Sequence, residues 1–332
     1  MVGTSEPWRP SATIRQAASY VGEVDRVAAN GLEPRLRGGV AEVVRRLCGV
    51  QAQDARAARL AIRARTEGLV ASDVDAEATV VRTWAWRGTL HLLAREDVPW
   101  VLSLVAARAN AAVAARRRAL GLDDAIQARA RAAITERLAS GPATRTDLRE
   151  ALGAAGVDAS GQRLPHLVRP VALEGLLHHP LDGTFAALEL DREPPPREQA
   201  LAELGRRYTA GYGAATPADL AAFSGLQERG QAPFLHAPCA MQERCLTPFL
   251  RLLGSFDPYL LGYAGRGHAV APEHARRVWP GGGWLHPVVL VDGMAAGTWR
   301  LDGGEVAVEA FGPIPEAGLA AEAADVRRFL AG

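Results

Sequence analysis

The sequence predicts a mainly α-helical fold with β-hairpin wings (α+β): three tandem winged-helix units followed by a C-terminal β-rich domain. Helix, helix, helix, hairpin is the element order of a winged helix, and this order occurs twice and begins a third time. A chain of 332 residues also exceeds the usual length of one domain. The expected bounds are 1–122 for an N-terminal helix with the first winged helix, 123–192 for the second, 197–255 for a shortened third, and 256–332 for the C-terminal domain with a terminal helix.

The first unit contains three helical patterns and one hairpin. Apolar residues of the stretch 40–47 are spaced i, i+3, i+4 and i+7, which is typical of an amphipathic helix. We expect Asp54 to cap a second helix and a third helix to follow Ser72. Two β-rich runs then meet at Arg87 and Gly88, and they are the predicted wing.

The second unit repeats this order with longer helices. We expect helices over 11–29 and 95–121 around the first unit, then over 124–139 and 161–177 in the second. Asp182 and the glycine after it form a tight-turn signal, which predicts a second hairpin.

The third unit and the C-terminal domain are less regular. Thr216 and Pro217 have the residue types of an N-cap and a first helical position, but the following helix and wing are indistinct over 225–250. From about residue 284, alternating apolar residues and Asp-Gly turns predict a β-meander. A helix over 316–331 closes the chain.

The net charge of +1 is unevenly distributed along the chain. Residues 1–150 contain 23 arginines against 17 acidic residues, whereas residues 151–332 contain 15 against 20. The chain has no lysine, so every long cationic side chain is a guanidinium, which suits bidentate phosphate contact. A GC-rich genome would explain the missing lysines equally well. The basic N-terminal half favours nucleic-acid binding.

The cysteines and the hydropathy pattern indicate a cytoplasmic protein without a membrane segment. Three cysteines are too few for a disulfide framework, and Cys48 is an expected core residue. No apolar run reaches ~18 residues, and the N-terminus lacks an apolar signal core. His236, Cys239 and Cys245 lack a fourth ligand and fit no standard zinc spacing, so we expect neither a metal nor another cofactor.

Gln51 and Gln53 are the candidate catalytic residues. In an extended or turn backbone, residues i and i+2 project to the same side, so both carboxamides would face one spot. Each carboxamide offers one acceptor oxygen and two N–H donors. The alternative is that both side chains cap a helix end and face water, and the spacing alone favours this alternative.

The predicted wing supplies further candidates. Strand alternation places Trp84 and Trp86 on one face with Arg82, and Arg87 at the tip. We expect both tryptophans in the core. Arg87 and His91 either face solvent or lie beside a phosphate backbone, as wing residues do. His91 and Asp54 are auxiliary site candidates, although a helix cap is the simpler role for Asp54.

Five segments resemble blocks of one protein family, in the same order: VVRRLCGVQAQDARAA, VRTWAWRGTLHLLAREDVPW, YGAATPADLAAFSGL, GSFDPYLLGY and WLHPVVLVDGMAAGTWR. The family is that of the AlkZ/YcaQ-like winged-helix DNA glycosylases, and the resemblance covers residues 35–310. Gln51-Ala52-Gln53 matches the Gln–apolar–Gln motif of its azinomycin-resistance branch, whereas the other branch has Gln–apolar–Asp.

The resemblance implies a C-shaped arrangement of the winged helices around double-stranded DNA. It also implies monofunctional excision of alkylated purines, including bulky N7-guanine adducts and interstrand crosslinks, with Gln51 and Gln53 as the catalytic pair. A role in self-resistance to a DNA-alkylating natural product would fit this branch, and the cytoplasmic location would then be the nucleoid. The arginines expected to contact DNA phosphates are Arg37, Arg45, Arg46, Arg82, Arg87 and Arg116.

The chemistry of such a substrate suits two neutral amides. An N7-alkylated guanine is cationic, so it leaves as a neutral base and needs no general acid. The enzyme then has to stabilise an oxocarbenium-like sugar and position a water molecule, and carboxamide oxygens can do both.

Two other functions compete with this interpretation. The chain could be a non-catalytic winged-helix DNA-binding protein, such as a transcriptional regulator, or an enzyme that uses the same scaffold on a different substrate. Regulators of this kind are usually dimers. No heptad-bearing dimerisation helix is visible, so we expect a monomer. The paired glutamines favour a glycosylase over a regulator but do not exclude a different substrate.

Overall fold

A computed structural model of the chain describes residues 26–227 and 249–332. Most of the helix predicted over 11–29 lies outside these residues, and its last turn is helical. Residues 228–248 are also outside, and they include the three candidate metal ligands His236, Cys239 and Cys245. None of the helices in the described parts is long and apolar enough to span a membrane.

Helices and strands are numbered along the described chain. The α-helices are α1 (Arg26–Ala29), α2 (Val40–Arg46), α3 (Ala55–Arg63), α4 (Ala71–Ala76), α5 (Val98–Ala112), α6 (Ala114–Ala119), α7 (Asp124–Ala139), α8 (Arg145–Ala154), α9 (Arg163–Leu173), α10 (Arg197–Tyr212), α11 (Pro217–Ser224), α12 (Pro258–Leu261), α13 (Ala275–Val278) and α14 (Glu316–Ala331). The strands are β1 (Val50–Gln51), β2 (Val80–Trp84), β3 (Leu90–Ala94), β4 (Leu177–His178), β5 (Ala186–Ala187), β6 (Leu250–Leu253), β7 (Val288–Val291), β8 (Met294–Asp302) and β9 (Glu305–Ala310). The mixed helical and sheet content agrees with the predicted α+β class.

The first unit has the predicted order of three helices and a hairpin. α2 buries the apolar face formed by Val40, Val43 and Val44. The hairpin strands β2 and β3 pair over five residues each. A short strand that we did not predict, β1, pairs with the free side of β3 and gives the sheet order β1-β3-β2.

Two helices of this unit differ from the prediction. α4 begins at Ala71 rather than after Ser72, because the Asp73 carboxylate accepts the Val70 N–H at 2.8 Å and fixes an earlier start. The long helix expected over 95–121 is divided. It opens with a 3-10 turn and breaks between α5 and α6, where the Arg117 guanidinium donates at 3.2 Å to the freed Asn110 carbonyl.

The second unit has the same element order with a smaller sheet. α7 has the predicted bounds, and Thr144 caps α8 through a reciprocal pair of hydrogen bonds with Asp147. The hairpin expected around Asp182 is present, but β4 and β5 contain two residues each. This unit has a hydrophobic core of its own, formed largely by α7, α8 and α9.

The remainder of the chain packs on the first unit. Thr216 caps α11 with Asp219, as expected. The predicted meander is present as β7, β8 and β9. A further strand, β6, lies before the expected domain boundary at residue 256 and pairs with β7, so that it forms one edge of a four-stranded sheet. One continuous core joins residues of α2, α3, β3 and α5 with residues of α10, α11, the C-terminal sheet and α14.

Buried ion pairs fasten the terminal helix α14 to the first unit. The Arg63 guanidinium, 1% exposed, donates to Glu322 and to Asp325 at 2.9 Å each. A second buried pair joins Arg65 to both carboxylate oxygens of Asp257, at 2.8 and 3.0 Å. Because a buried guanidinium requires a partner, these contacts hold β6, α12 and α14 against α3.

Candidate active site

A two-residue left-handed turn delivers the chain from α2 into β1. Cys48 has a φ of 54° and Gly49 a φ of 104°, and the Gly49 N–H donates to the Val44 carbonyl at 2.8 Å. A Cβ on residue 49 would lie 2.7 Å from the Leu93 side chain, so both the conformation and the space require glycine. The turn places the next residues against β3.

Side chains from distant parts of the chain hold this turn. The Trp86 indole N–H donates to the Cys48 carbonyl at 2.6 Å, and the Tyr212 hydroxyl donates to the Leu47 carbonyl at 3.1 Å. At Gly211, a Cβ would lie 2.0 Å from the Arg46 carbonyl oxygen, so α10 packs directly on the backbone at the end of α2. The backbone that leads from α2 into β1 is therefore held on one side by the hairpin and on the other by α10.

Gln51 and Gln53 lie on the outer side of an extended segment. Val50 and Ala52 are fully buried, Gln51 is half-buried and Gln53 is exposed, which is the alternation of a strand. Gln51 lies opposite His91 in the β1–β3 ladder. Helix capping does not use either carboxamide, because α2 ends before them and α3 is capped by Asp54, which accepts the Ala57 N–H at 2.9 Å.

Arg87 orients the Gln51 carboxamide. It lies at the hairpin tip with a left-handed φ of 54° and donates to Gln51 Oε1 at 3.1 Å. The same guanidinium donates to the Phe223 carbonyl of α11 and so links the two elements. A guanidinium has donors only, so the amide oxygen of Gln51 must face it and the amide NH₂ must face away.

His91 is a neutral, buried hydrogen-bonding group beside Gln51. Its Nδ1 lies 3.1 Å from the Thr89 carbonyl, which can only accept, so Nδ1 carries the proton and Nε2 is an acceptor. Burial, followed by the positive charge of Arg87, lowers the His91 pKa to about 3. The imidazole is uncharged at neutral pH.

Gln51, Arg87 and His91 line a small recess, which has space for about one water molecule, and Gln53 is not among its lining residues. Its lining residues are Gly49, Gln51, Arg87, His91, Tyr212, Phe223, Phe256, Pro258, Leu261 and Gly262. Polar groups from the first unit thus meet an aromatic wall from α10, α11 and the start of α12.

Two hairpin residues differ from their expected positions. The Arg82 guanidinium is 8% exposed and donates to the carbonyls of Ala52 at 2.8 Å and Pro180 at 3.3 Å. It therefore joins the glutamine segment to the second hairpin and has no open face for a phosphate. Trp86 is buried, as expected, but it does not share a strand face with Trp84, because the backbone turns into a 3-10 helix at the tip.

The other predicted phosphate contacts lie away from the recess. Arg37 and Arg116 are exposed. Arg45 is partly exposed and pairs with Glu96 at 2.7 Å, whereas half-buried Arg46 donates to the Ala29 carbonyl at 2.9 Å. No group of three histidine, cysteine or acidic side chains within residues 26–227 or 249–332 is arranged to hold a metal.

The aromatic wall was not predicted as part of the site. Tyr212 and Phe223 belong to helices more than 150 residues away in sequence from Gln51, and Phe256 follows β6. The segments that contain them, YGAATPADLAAFSGL and GSFDPYLLGY, were among the blocks that resemble the glycosylase family. That resemblance was the available signal, and it did not specify which side chains line the recess.

Comparison with known proteins agrees with the predicted family. The family model described as "DNA glycosylase AlkZ-like" matches residues 44–331. The interstrand DNA cross-link repair glycosylase of Streptomyces sahachiroi is 29% identical over 352 aligned positions, which cover 91% of this chain and 94% of the relative. The solved structure of the S. sahachiroi DNA glycosylase AlkZ superposes with a TM-score of 0.69 at 27% identity, covering 96% of this chain and 97% of that one. The chain belongs to the family of AlkZ-like DNA glycosylases.

Proposed function

We propose that this protein hydrolyses the N-glycosidic bond of cationic N7-alkylated purines in double-stranded DNA, including bulky adducts and interstrand crosslinks. The observation that carries the proposal is the pair of neutral polar groups, Gln51 and His91, that line a space of about one water molecule, with Gln53 exposed two residues further along the chain. The relative from S. sahachiroi, named for interstrand cross-link repair, supports the inclusion of crosslinks.

The hydrogen-bonding directions assign separate tasks to the two glutamines. Arg87 occupies the oxygen of Gln51, so the Gln51 NH₂ is available to donate to the oxygen of a bound water. His91 lines the recess, and its Nε2 is an acceptor for one proton of that water. We infer that the exposed Gln53 carboxamide turns toward the recess and that its oxygen accepts the other proton. One lone pair of the water remains free to attack the anomeric carbon, while the Gln53 dipole stabilises the cationic sugar.

A neutral His91 suits this reaction. The water becomes strongly acidic only as it bonds to the cationic sugar, so a weak base suffices to receive its proton. A protonated imidazole would repel the developing sugar cation instead. With a pKa of about 3, His91 is neutral throughout the physiological range.

The recess is too small to enclose a base. Most enzymes that act on bases within duplexes rotate the nucleotide into a deep pocket. Here the recess is shallow and the neighbouring Gln53 is exposed, so we infer that the glycosidic bond is reached from the groove and the base stays outside the protein. An attached bulky group or a second strand would then not prevent reaction.

The repeated helix–helix–helix–hairpin order supports tandem winged helices. The resemblance to the glycosylase family implies that they are arranged in a C shape around the duplex. Arg37, Arg45, Arg46 and Arg116 are the arginines that we propose for phosphate contact. Each neutralised phosphate contributes about −0.9 to the slope of log affinity against log salt concentration. We propose that the protein acts as a monomer at the nucleoid, in self-resistance to a DNA-alkylating natural product.

Excision from defined duplexes tests the proposal. Duplexes with one N7-methylguanine, one bulky N7-guanine adduct or one interstrand crosslink are incubated with the protein and scored for alkali-labile abasic sites. We expect release of all three cationic lesions and none of unmodified guanine. Release of ordinary purines, or no release of any lesion, would contradict the proposal.

A further inference from the structure

An exposed tryptophan lies next to the recess. Among the described residues, Trp284 is the one large apolar side chain that is exposed, at 49%. It follows three consecutive glycines with left-handed backbones, at φ 112°, 63° and 77°. The backbone N–H of Trp284 donates to the Gly281 carbonyl at 3.1 Å, which closes a tight turn and presents the indole at the surface.

Phe256 connects this tryptophan to the recess. The Phe256 ring lines the recess, and its centroid lies 5.3 Å from that of Trp284 with the rings nearly perpendicular. Phe256 has a φ of 58°, a left-handed conformation that is unfavourable for a residue with a side chain. The buried Asp257, held by Arg65, fixes the backbone immediately after it. The fold therefore maintains an unfavourable conformation that directs an aromatic ring to this position.

We propose that the Trp284 indole, supported by the perpendicular Phe256 ring, forms an aromatic platform that stacks on a flat aromatic group carried by the DNA adduct. This inference rests on the proposed function. The recess holds about one water, so the bulk of an adduct must lie outside it, and the adjoining surface presents the exposed indole. Stacking on an aromatic side chain is favourable, and indole is the strongest partner for a cationic ring system.

The test compares Trp284→Ala and Trp284→Phe with the unaltered protein on three duplexes of one sequence. The duplexes carry N7-methylguanine, an N7-guanine adduct with a planar polycyclic aromatic group, and an N7-guanine adduct with a saturated alicyclic group of similar size. Equilibrium binding is measured by fluorescence anisotropy of labelled DNA, and excision is measured separately under single-turnover conditions. Thermal unfolding verifies that each variant is folded.

We expect Trp284→Ala to weaken binding of the aromatic adduct about 10-fold, which corresponds to about 1.4 kcal/mol. Binding of the other two duplexes should change by less than about 2-fold, and Trp284→Phe should retain most of the affinity. Equal losses on all three duplexes, a loss confined to N7-methylguanine, or no loss on any would each overturn the platform. If the unaltered protein excises none of the lesions, the proposed function fails, while the binding comparison still decides whether the platform exists.

Discussion

The first and second units share one element order but differ in how they are packed. The first unit's hairpin has five paired residues per strand and lies in a core shared with α10, α11 and the C-terminal sheet. The second unit's hairpin has two paired residues per strand, and its core is separate. Among the described residues, the recess lined by Gln51 and His91 lies where the surrounding chain fixes the backbone on several sides, so the packing around a repeated fold, and not the fold alone, determines the site.

Removing the amides should produce the largest effect. Gln51→Ala combined with Gln53→Ala should lower the single-turnover excision rate by at least ~100-fold, because both the water and the cationic sugar lose their partners. Asp182→Asn, at the tip of the second hairpin, should leave the rate within about 2-fold. Excision is measured on N7-methylguanine DNA. Substantial activity of the double variant would refute the assignment of the site.

Helix packing can be compared at two glycines. Gly211→Ala places a methyl group 2.0 Å from the Arg46 carbonyl oxygen, so we expect the free energy of unfolding to fall by about 3 kcal/mol. Gly153→Ala, in α8 of the second unit, meets nothing within 4 Å and should be stabilising by up to ~1 kcal/mol. Urea unfolding measures both. Equal effects would show that α10 does not press on the end of α2.

Substitution of Arg82 and of Arg116 should distinguish an arginine that stabilises the fold from one that contacts DNA phosphates. Arg82→Met leaves buried carbonyls without donors and should lower the free energy of unfolding by about 2 kcal/mol, with no change in salt dependence. Arg116→Met should leave stability within ~0.5 kcal/mol and reduce the slope of log affinity against log salt by about 0.9. Chemical unfolding and DNA titrations at several salt concentrations are the measurements. A changed slope of log affinity against log salt for Arg82→Met would mean that Arg82 contacts a DNA phosphate.

The buried histidine of the first unit makes stability depend on pH. His91 has a folded-state pKa of about 3, well below the ordinary 6.5, so only the unfolded chain takes up its proton as the pH falls below 6.5. The contribution of neutral His91 to the free energy of unfolding is complete above pH 6.5 and is lost progressively toward pH 3. At pH 5.5 the loss is about 1.4 kcal/mol. His91→Gln should reduce this pH dependence in urea unfolding. An unchanged profile would mean that His91 is not buried in its neutral form.

Local patterns predicted most elements, and contacts between distant segments determined the differences. Capping residues marked the starts of α3 and α11, and Asp-Gly turns marked the meander. β1 has only two residues and exists because Gln51 pairs with His91 across the sheet, which no local pattern reveals. The local pattern could not show that Arg82 is buried, because its carbonyl partners Ala52 and Pro180 are 30 and 98 residues away in sequence.

The site was predicted where its residues are adjacent in sequence. The spacing of Gln51 and Gln53 and the hairpin position of Arg87 were visible in one short stretch each. Phe256 and Trp284 come from the C-terminal half, and their proximity depends on β6 pairing with the meander. Their role therefore needed the folded chain.

The ion pairs of Arg63 have a consequence for synthesis on the ribosome. Arg63 follows the glutamines by about ten residues, yet both of its carboxylate partners, Glu322 and Asp325, lie in the last helix. A nascent chain that has completed the first unit still carries an uncompensated guanidinium at a position that must become buried. The segment from β1 to α3 is thus expected to reach its final packing only after translation is nearly finished, which would keep incomplete chains from acting on DNA.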